Sequence, residues 1–133
     1  FARYGFVQTD PDGRIISFLQ SNEIPTTYSE IREGNNFLDW EGYTDLILTN
    51  PPFNQRIEFL HHSLTRANTV IMLLPLRFLA SIGRKQFHQI NTPTGLIILS
   101  RRPCFVEGRS DNTDYAWHIW DKTDRTPENL NWL

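Results

Sequence analysis

The sequence predicts an α/β domain with a mostly parallel sheet. Two observations predict it. Apolar runs of strand length, Leu46-Ile47-Leu48 and Val70 to Leu74, alternate with segments of helical periodicity. The chain has 133 residues, 39% of them apolar, which is one domain's length with enough apolar material for a core. No repeat, low-complexity tract or linker interrupts it, so residues 1–133 are expected to form a single domain.

The elements follow in order. Residues 13–22, GRIISFLQSN, carry apolar side chains at 15, 16, 18 and 19 and suit a short amphipathic helix. Residues 26–31, TTYSEI, are β-prone. Residues 44–50, TDLILTN, read as a buried strand closed by the two prolines that follow. Over 54–67, Ile57, Leu60 and Leu64 share one helical face. Residues 69–75 form a second buried strand, and 78–90 are predicted to be helical. Residues 95–103 and 114–122 read as two closing strands, antiparallel because little helix separates them. In the last, Tyr115, Trp117 and Ile119 alternate with Ala116, His118 and Trp120.

Net charge is −2, which by itself names no partner. Its distribution is uneven. The stretch from Arg77 to Arg109 holds six of the 13 basic residues and one of the 15 acids. A solvated surface and a nucleic-acid contact both fit that pattern. Cys104 is the single cysteine, so no internal disulfide can form, which fits a reducing compartment and a cytoplasmic location. No secretory leader is visible at FARYGFVQTD, no apolar run is long enough to span a bilayer, and no membrane role is expected. The chain starts on Phe1 instead of Met, which points to a fragment of a longer chain.

The segment Asn50-Pro51-Pro52-Phe53 carries the chemistry. The residue before a proline is held extended, and each proline fixes its own φ and lacks an N–H. The proline carbonyls are therefore expected to lack a neighbouring donor, and Asn50 adds a side-chain carbonyl. Two convergent acceptors suit an –NH2 group. An amine conjugated to a ring is a poor nucleophile, and acceptors on its hydrogens raise electron density at nitrogen. Phe53 offers a flat face for a planar substrate. Pro-Pro can also be a simple strand terminator. Yet an Asn/Asp/Ser-Pro-Pro-aromatic string arises by chance in well under about 1% of chains this long. In open α/β sheets ligands bind beyond the carboxyl ends of strands, where this string lies.

On these residues the chain resembles the class I S-adenosylmethionine-dependent methyltransferases, and most closely the adenine-specific DNA methyltransferases with the NPPF signature, of the small phage and plasmid type. The resemblance runs from about Asp10 to Lys122 and implies a single Rossmann-like methyltransferase domain with a twisted, mostly parallel sheet and an antiparallel closing strand. It implies a flipped adenine whose exocyclic amine meets Asn50 and Pro51, with Pro52 completing the motif and Phe53 stacking on the base. It implies S-adenosylmethionine as cofactor, DNA as partner and a bacterial, plasmid or phage source. Glu30, with Ile31 beside it, matches the residues that bind the cofactor ribose. Residues 33–40, EGNNFLDW, resemble the element that contacts the cofactor adenine, placing Asn36 and Phe37 there, with Asn where the family has Asp.

The cofactor loop departs from the family. Residues 9–15, TDPDGRI, keep Asp10, Pro11 and Gly13 but are two or three residues short. Either the loop is degenerate or residues are missing there, so the domain is expected to be incomplete at the N-terminus or at this loop. FARYGFV reads as the tail of the family's preceding helix. No separate target-recognition domain is expected within these 133 residues, so loops, a homo-oligomer or partner subunit, or a missing segment would read the DNA sequence.

Arg101, Arg102 and Arg109 are candidate phosphate contacts. His61 and His62 read as a solvated helix face, and His88 and His118 lack ligand-spaced partners, so no metal is expected. Ser63 and Ser81 lack a nucleophile context, Cys104 reads as a buried small residue, and one of Trp117 and Trp120 is core while the other is surface. Two alternatives to adenine-DNA methylation stay open. One is another planar amine, an RNA base or a protein glutamine. The other is a degenerate, non-catalytic homologue that binds nucleic acid or a partner.

Overall fold

The computed structural model describes residues 5–8, 22, 26–29, 36–102, 113–124 and 130–132. The helix expected over 13–22 lies outside them apart from Asn22. The chain divides into two compact units, Phe1–Met72 and Leu73–Leu133.

The first unit contains β1 (Gly5–Gln8), β2 (Thr26–Ser29), β3 (Thr44–Thr49), α1 (Arg56–Arg66) and most of β4 (Ala67–Pro75). β1 pairs in parallel with β2 and with β3, and β3 pairs in parallel with β4. The tail-of-helix reading of FARYGFV is corrected: Gly5-Phe6-Val7-Gln8 is a strand held from both sides. Two flanking ladders satisfy its backbone groups and override the weak helical reading. β3 is interior, and its Thr44, Ile47 and Thr49 are buried.

α1 forms where periodicity predicts it, one to two residues shorter at each end. Its buried face is rotated from the expected one. Phe59, Leu60 and Ser63 are buried, while Ile57 and Leu64 are only half-buried. The bulk of Phe59 decides this. It turns its ring inward, and the small Ser63 one turn on lets the helix approach its support. The Phe59 ring meets Phe37 at a centroid distance of 5.1 Å, and His62 meets Phe37 edge-on at 4.9 Å.

Phe37 opens a 3-10 turn, Phe37–Asp39, capped by Asn36, whose Oδ1 accepts from the Leu38 N–H at 3.1 Å. The segment is tied to α1 by His62 Nε2 donating to the Trp40 carbonyl at 2.9 Å and by Arg66 donating to the Glu41 carbonyl at 2.7 Å. Gly42 lies so close to the Trp40 indole that a Cβ would sit 2.4 Å from a ring carbon, which excludes larger residues unless the indole moves.

The second unit contains the end of β4, 3-10 turns at Leu76–Phe78 and Ile82–Arg84, α2 (Lys85–Ile90), β5 (Gly95–Ile98), β6 (Tyr115–Asp121) and β7 (Leu130–Trp132). β5 pairs antiparallel with β6, as the sequence suggested, and parallel with β7, which the sequence did not suggest. The continuous helix expected over 78–90 is corrected. Ser81 is extended, at φ −133 and ψ 122, and helix resumes only at Ile82. Gly83 weakens helix propensity in the same stretch, and Ile82 points to solvent at 97% exposure. The strand expected over 95–103 stops at Ile98. Among the described residues no helix is long and apolar enough to cross a membrane.

β6 is buried on both faces. Tyr115, Ala116, His118, Ile119 and Trp120 are all enclosed, and Trp117 is half-buried. His118 is fully buried, stacked on Trp120 with centroids 6.1 Å apart. Its Nδ1 lies 2.9 Å from the Ala116 carbonyl, which can only accept, so Nδ1 carries the proton. Burial pushes the His118 pKa from 6.5 down to about 4, with the Ala116 hydrogen bond opposing and nearby His88 assisting.

The unfolded chain takes up this proton below pH 6.5, whereas the folded chain resists until about pH 4. Stability is therefore intact above pH 6.5 and falls as pH drops through that window, by on the order of 3 kcal/mol in all. Urea midpoints measured between pH 7 and pH 4 are expected to fall less steeply for His118→Phe than for the wild type.

Candidate functional site

β3 delivers the chain to the site. Gln8 of β1 is in register with both Ser29 of β2 and Thr49 of β3, so three parallel strands end at one level. The sequence that follows them is Thr9-Asp10-Pro11, Glu30-Ile31 and Asn50-Pro51. Asp10, Pro11, Gly13, Glu30 and Ile31 themselves lie outside the described residues, as do Cys104 and Arg109.

Thr49 is fully buried, Asn50 half-buried, Pro51 buried and Pro52 half-buried. The chain then turns outward, leaving Phe53 57% exposed. The expectation that both proline carbonyls lack donors is corrected for one of them. The Gln55 N–H donates to the Pro52 carbonyl at 3.1 Å, and the Gln55 carbonyl in turn accepts from Phe59 N–H at 2.9 Å. The turn after the prolines thus ends on Gln55, the residue that caps α1. The Pro51 carbonyl receives no hydrogen bond among the described residues. The two prolines thus differ: the Pro52 carbonyl accepts in the turn that leads into α1, and the Pro51 carbonyl does not.

Sequence reading missed one partner. The Arg56 guanidinium lies over the Phe53 ring, 4.6 Å from its centroid. A cation over an exposed ring is worth about 0.5–1 kcal/mol. The signal was present in the three-residue spacing of Phe53 and Arg56 at a helix start.

Asn36 and Phe37, the other described candidates in this unit, are carried by the same helix through the Phe37–Phe59 contact. The Phe37 ring is fully buried among Trp40, Phe59 and His62, so its side chain serves the core and offers no open face to a ligand. Asn36 is half-buried, with one lone pair of Oδ1 committed to Leu38 and its amide N–H groups still available as donors.

In the second unit several bases are already engaged. Arg84 donates to the Phe78 carbonyl at 3.1 Å and stacks over the Phe78 ring at 4.7 Å. Arg77 donates to Thr113 Oγ1 at 3.4 Å. Arg102 pairs with Asp114 at 3.0 Å, both side chains about half exposed. Such a surface pair is worth about 0–1 kcal/mol and exchanges readily for another anion. Arg101 and Lys85 are exposed. Among the described residues no three His, Cys, Asp or Glu side chains converge to hold a metal ion. His88 Nε2 donates to the Phe78 carbonyl at 3.0 Å, which makes it a packing residue.

Solved structures share this fold. A protein of Listeria monocytogenes assigned as a class I S-adenosylmethionine-dependent methyltransferase superposes with a TM-score of 0.60 at 10% identity, over 100% of this chain and 59% of its own. A protein of Pyrococcus horikoshii assigned as an RNA methyltransferase gives 0.56 at 10% identity, over 94% and 75%. The M protein of the type I restriction enzyme EcoKI gives 0.52 at 12% identity, over 89% and 30%. The chain thus has the Rossmann-like α/β fold of these methyltransferases, and it spans less than two thirds of the first and under a third of the third. No protein-family model and no curated protein matches the sequence.

Two phenylalanines six residues apart separate structure from surface. Phe59 is 2% exposed and Phe53 is 57% exposed. Phe59→Ala is expected to lower unfolding free energy by about 3–5 kcal/mol, and Phe53→Ala by no more than about 1 kcal/mol, measured by urea titration.

Proposed function

We propose that this chain is a methyltransferase domain that moves a methyl group from S-adenosylmethionine to the exocyclic amine of adenine in DNA. The observation that supports it most is the Asn50-Pro51-Pro52-Phe53 turn at the end of interior strand β3, in a methyltransferase fold. There the Pro51 carbonyl stays unengaged among the described residues while the Pro52 carbonyl accepts from Gln55 in the turn that leads into α1.

The Asn50 side-chain carbonyl and the Pro51 carbonyl accept the two amine hydrogens. This localises the nitrogen lone pair and aims it. Phe53 stacks on the extruded base, which must leave the duplex because its amine is otherwise paired. S-adenosylmethionine, when bound, supplies a methyl group on a sulfonium leaving group. The amine proton passes to solvent after transfer. The chain's own contribution is positioning and electrostatics, with no strong base required.

The cofactor would lie along the level carboxyl ends of β1, β2 and β3, held by Asp10, Pro11, Gly13, Glu30 and Ile31. Asn36 would reach its adenine, joined by the main chain at Phe37, since the Phe37 ring is enclosed. Arg101, Arg102 and Arg109 would contact phosphates. Residues 1–133 would act as one catalytic domain in the cytoplasm of a bacterium or its phage or plasmid. A second copy or a partner subunit would supply target recognition.

The same acceptors suit an RNA base or a glutamine amide. The exposed bases of the second unit favour nucleic acid. Calorimetric titration of S-adenosylmethionine tests the cofactor, and transfer of labelled methyl to adenine-containing DNA tests the reaction. Asn50→Ala is expected to lose about 100- to 1,000-fold in kcat with cofactor affinity unchanged. Absence of cofactor binding in the wild type would instead mark a non-catalytic homologue. Methylation of RNA or protein but not DNA would move the substrate.

A further inference from the structure

The Phe53–Arg56 stack carries an inference that rests on the function proposed above. An exposed phenylalanine on a turn samples several rotamers, and a planar ligand would have to order it at an entropic cost. Here the ring shows 57% of its surface while the Arg56 guanidinium lies over it at 4.6 Å. The guanidinium lies over one face, and more than half of the residue's surface stays exposed for a planar ligand to meet.

Arg56 is also the first residue of α1. A cation there opposes the helix dipole, so the dipole itself does not favour the charge. A planar cation behind an aromatic ring does two things. It fixes the ring's orientation, and it draws electron density from the far face, which favours stacking by an electron-rich purine.

We infer that Arg56 is a positioning residue for substrate: it backs Phe53 so that the ring presents one ordered face to the planar group of a nucleotide base. Arg56 touches neither the reacting amine nor the methyl donor. It acts through Phe53.

The test is a double-mutant cycle on binding of a fluorescein-labelled single-stranded oligodeoxyadenylate, read by anisotropy in wild type, Phe53→Ala, Arg56→Ala, Arg56→Gln and the Phe53→Ala/Arg56→Ala pair. Circular dichroism confirms that α1 persists in each. Arg56→Ala and Arg56→Gln are expected to weaken binding by about three- to fivefold in the wild-type background, with no further loss once Phe53 is gone. An equal loss in the Phe53→Ala background would reduce Arg56 to a plain phosphate contact and overturn the inference, as would no loss at all. Failure of the wild type itself to bind would sink the nucleic-acid reading, and the role assigned to Arg56 would fall with it.

Discussion

The contact between Phe37 and Phe59, with ring centroids 5.1 Å apart, is what the first unit depends on. It seats α1, and α1 begins at the turn that carries Asn50 to Phe53. It also fixes the short segment around Asn36, which His62 and Arg66 tie to the same helix. Two candidate regions far apart in sequence thus share one support. Loosening the aromatic cluster would disturb both, although neither Phe37 nor Phe59 offers a face to a substrate.

Much of this was legible in the sequence, for identifiable reasons. The strand at 44–49 was readable because it is short, apolar and closed by prolines. The helix at 56–66 was readable because its period is strong. Its buried face was misjudged because the reading weighed only aliphatic positions, while the aromatic Phe59 and the small Ser63 determine which side turns inward. The motif was legible as an acceptor cluster. That one of its two proline carbonyls is consumed by Gln55 was not, because the hydrogen bond depends on how the turn meets the helix.

The second unit was harder to read. A helical pattern over 78–90 is broken by an extended Ser81, and the apolar Ile82 and Ile90 face solvent. The pairing of β7 with β5 joins segments more than 30 residues apart, which no local pattern encodes. The stretch from Arg77 to Arg109 is locally basic in sequence. In three dimensions Arg84 stacks on Phe78, Arg77 donates to Thr113 and Arg102 pairs with Asp114, so of these three only Arg102 meets an acid in the contacts described.

The hydrogen bond from Gln55 N–H to the Pro52 carbonyl joins the motif to α1 without slack. Phe53, Asn54 and Gln55 are all the chain there is between the second proline and the helix. An insertion at this point would unseat the helix start together with the acceptor carbonyl beside it. Length variation in this architecture has to be accommodated elsewhere, and the motif and its helix must be inherited as one rigid block.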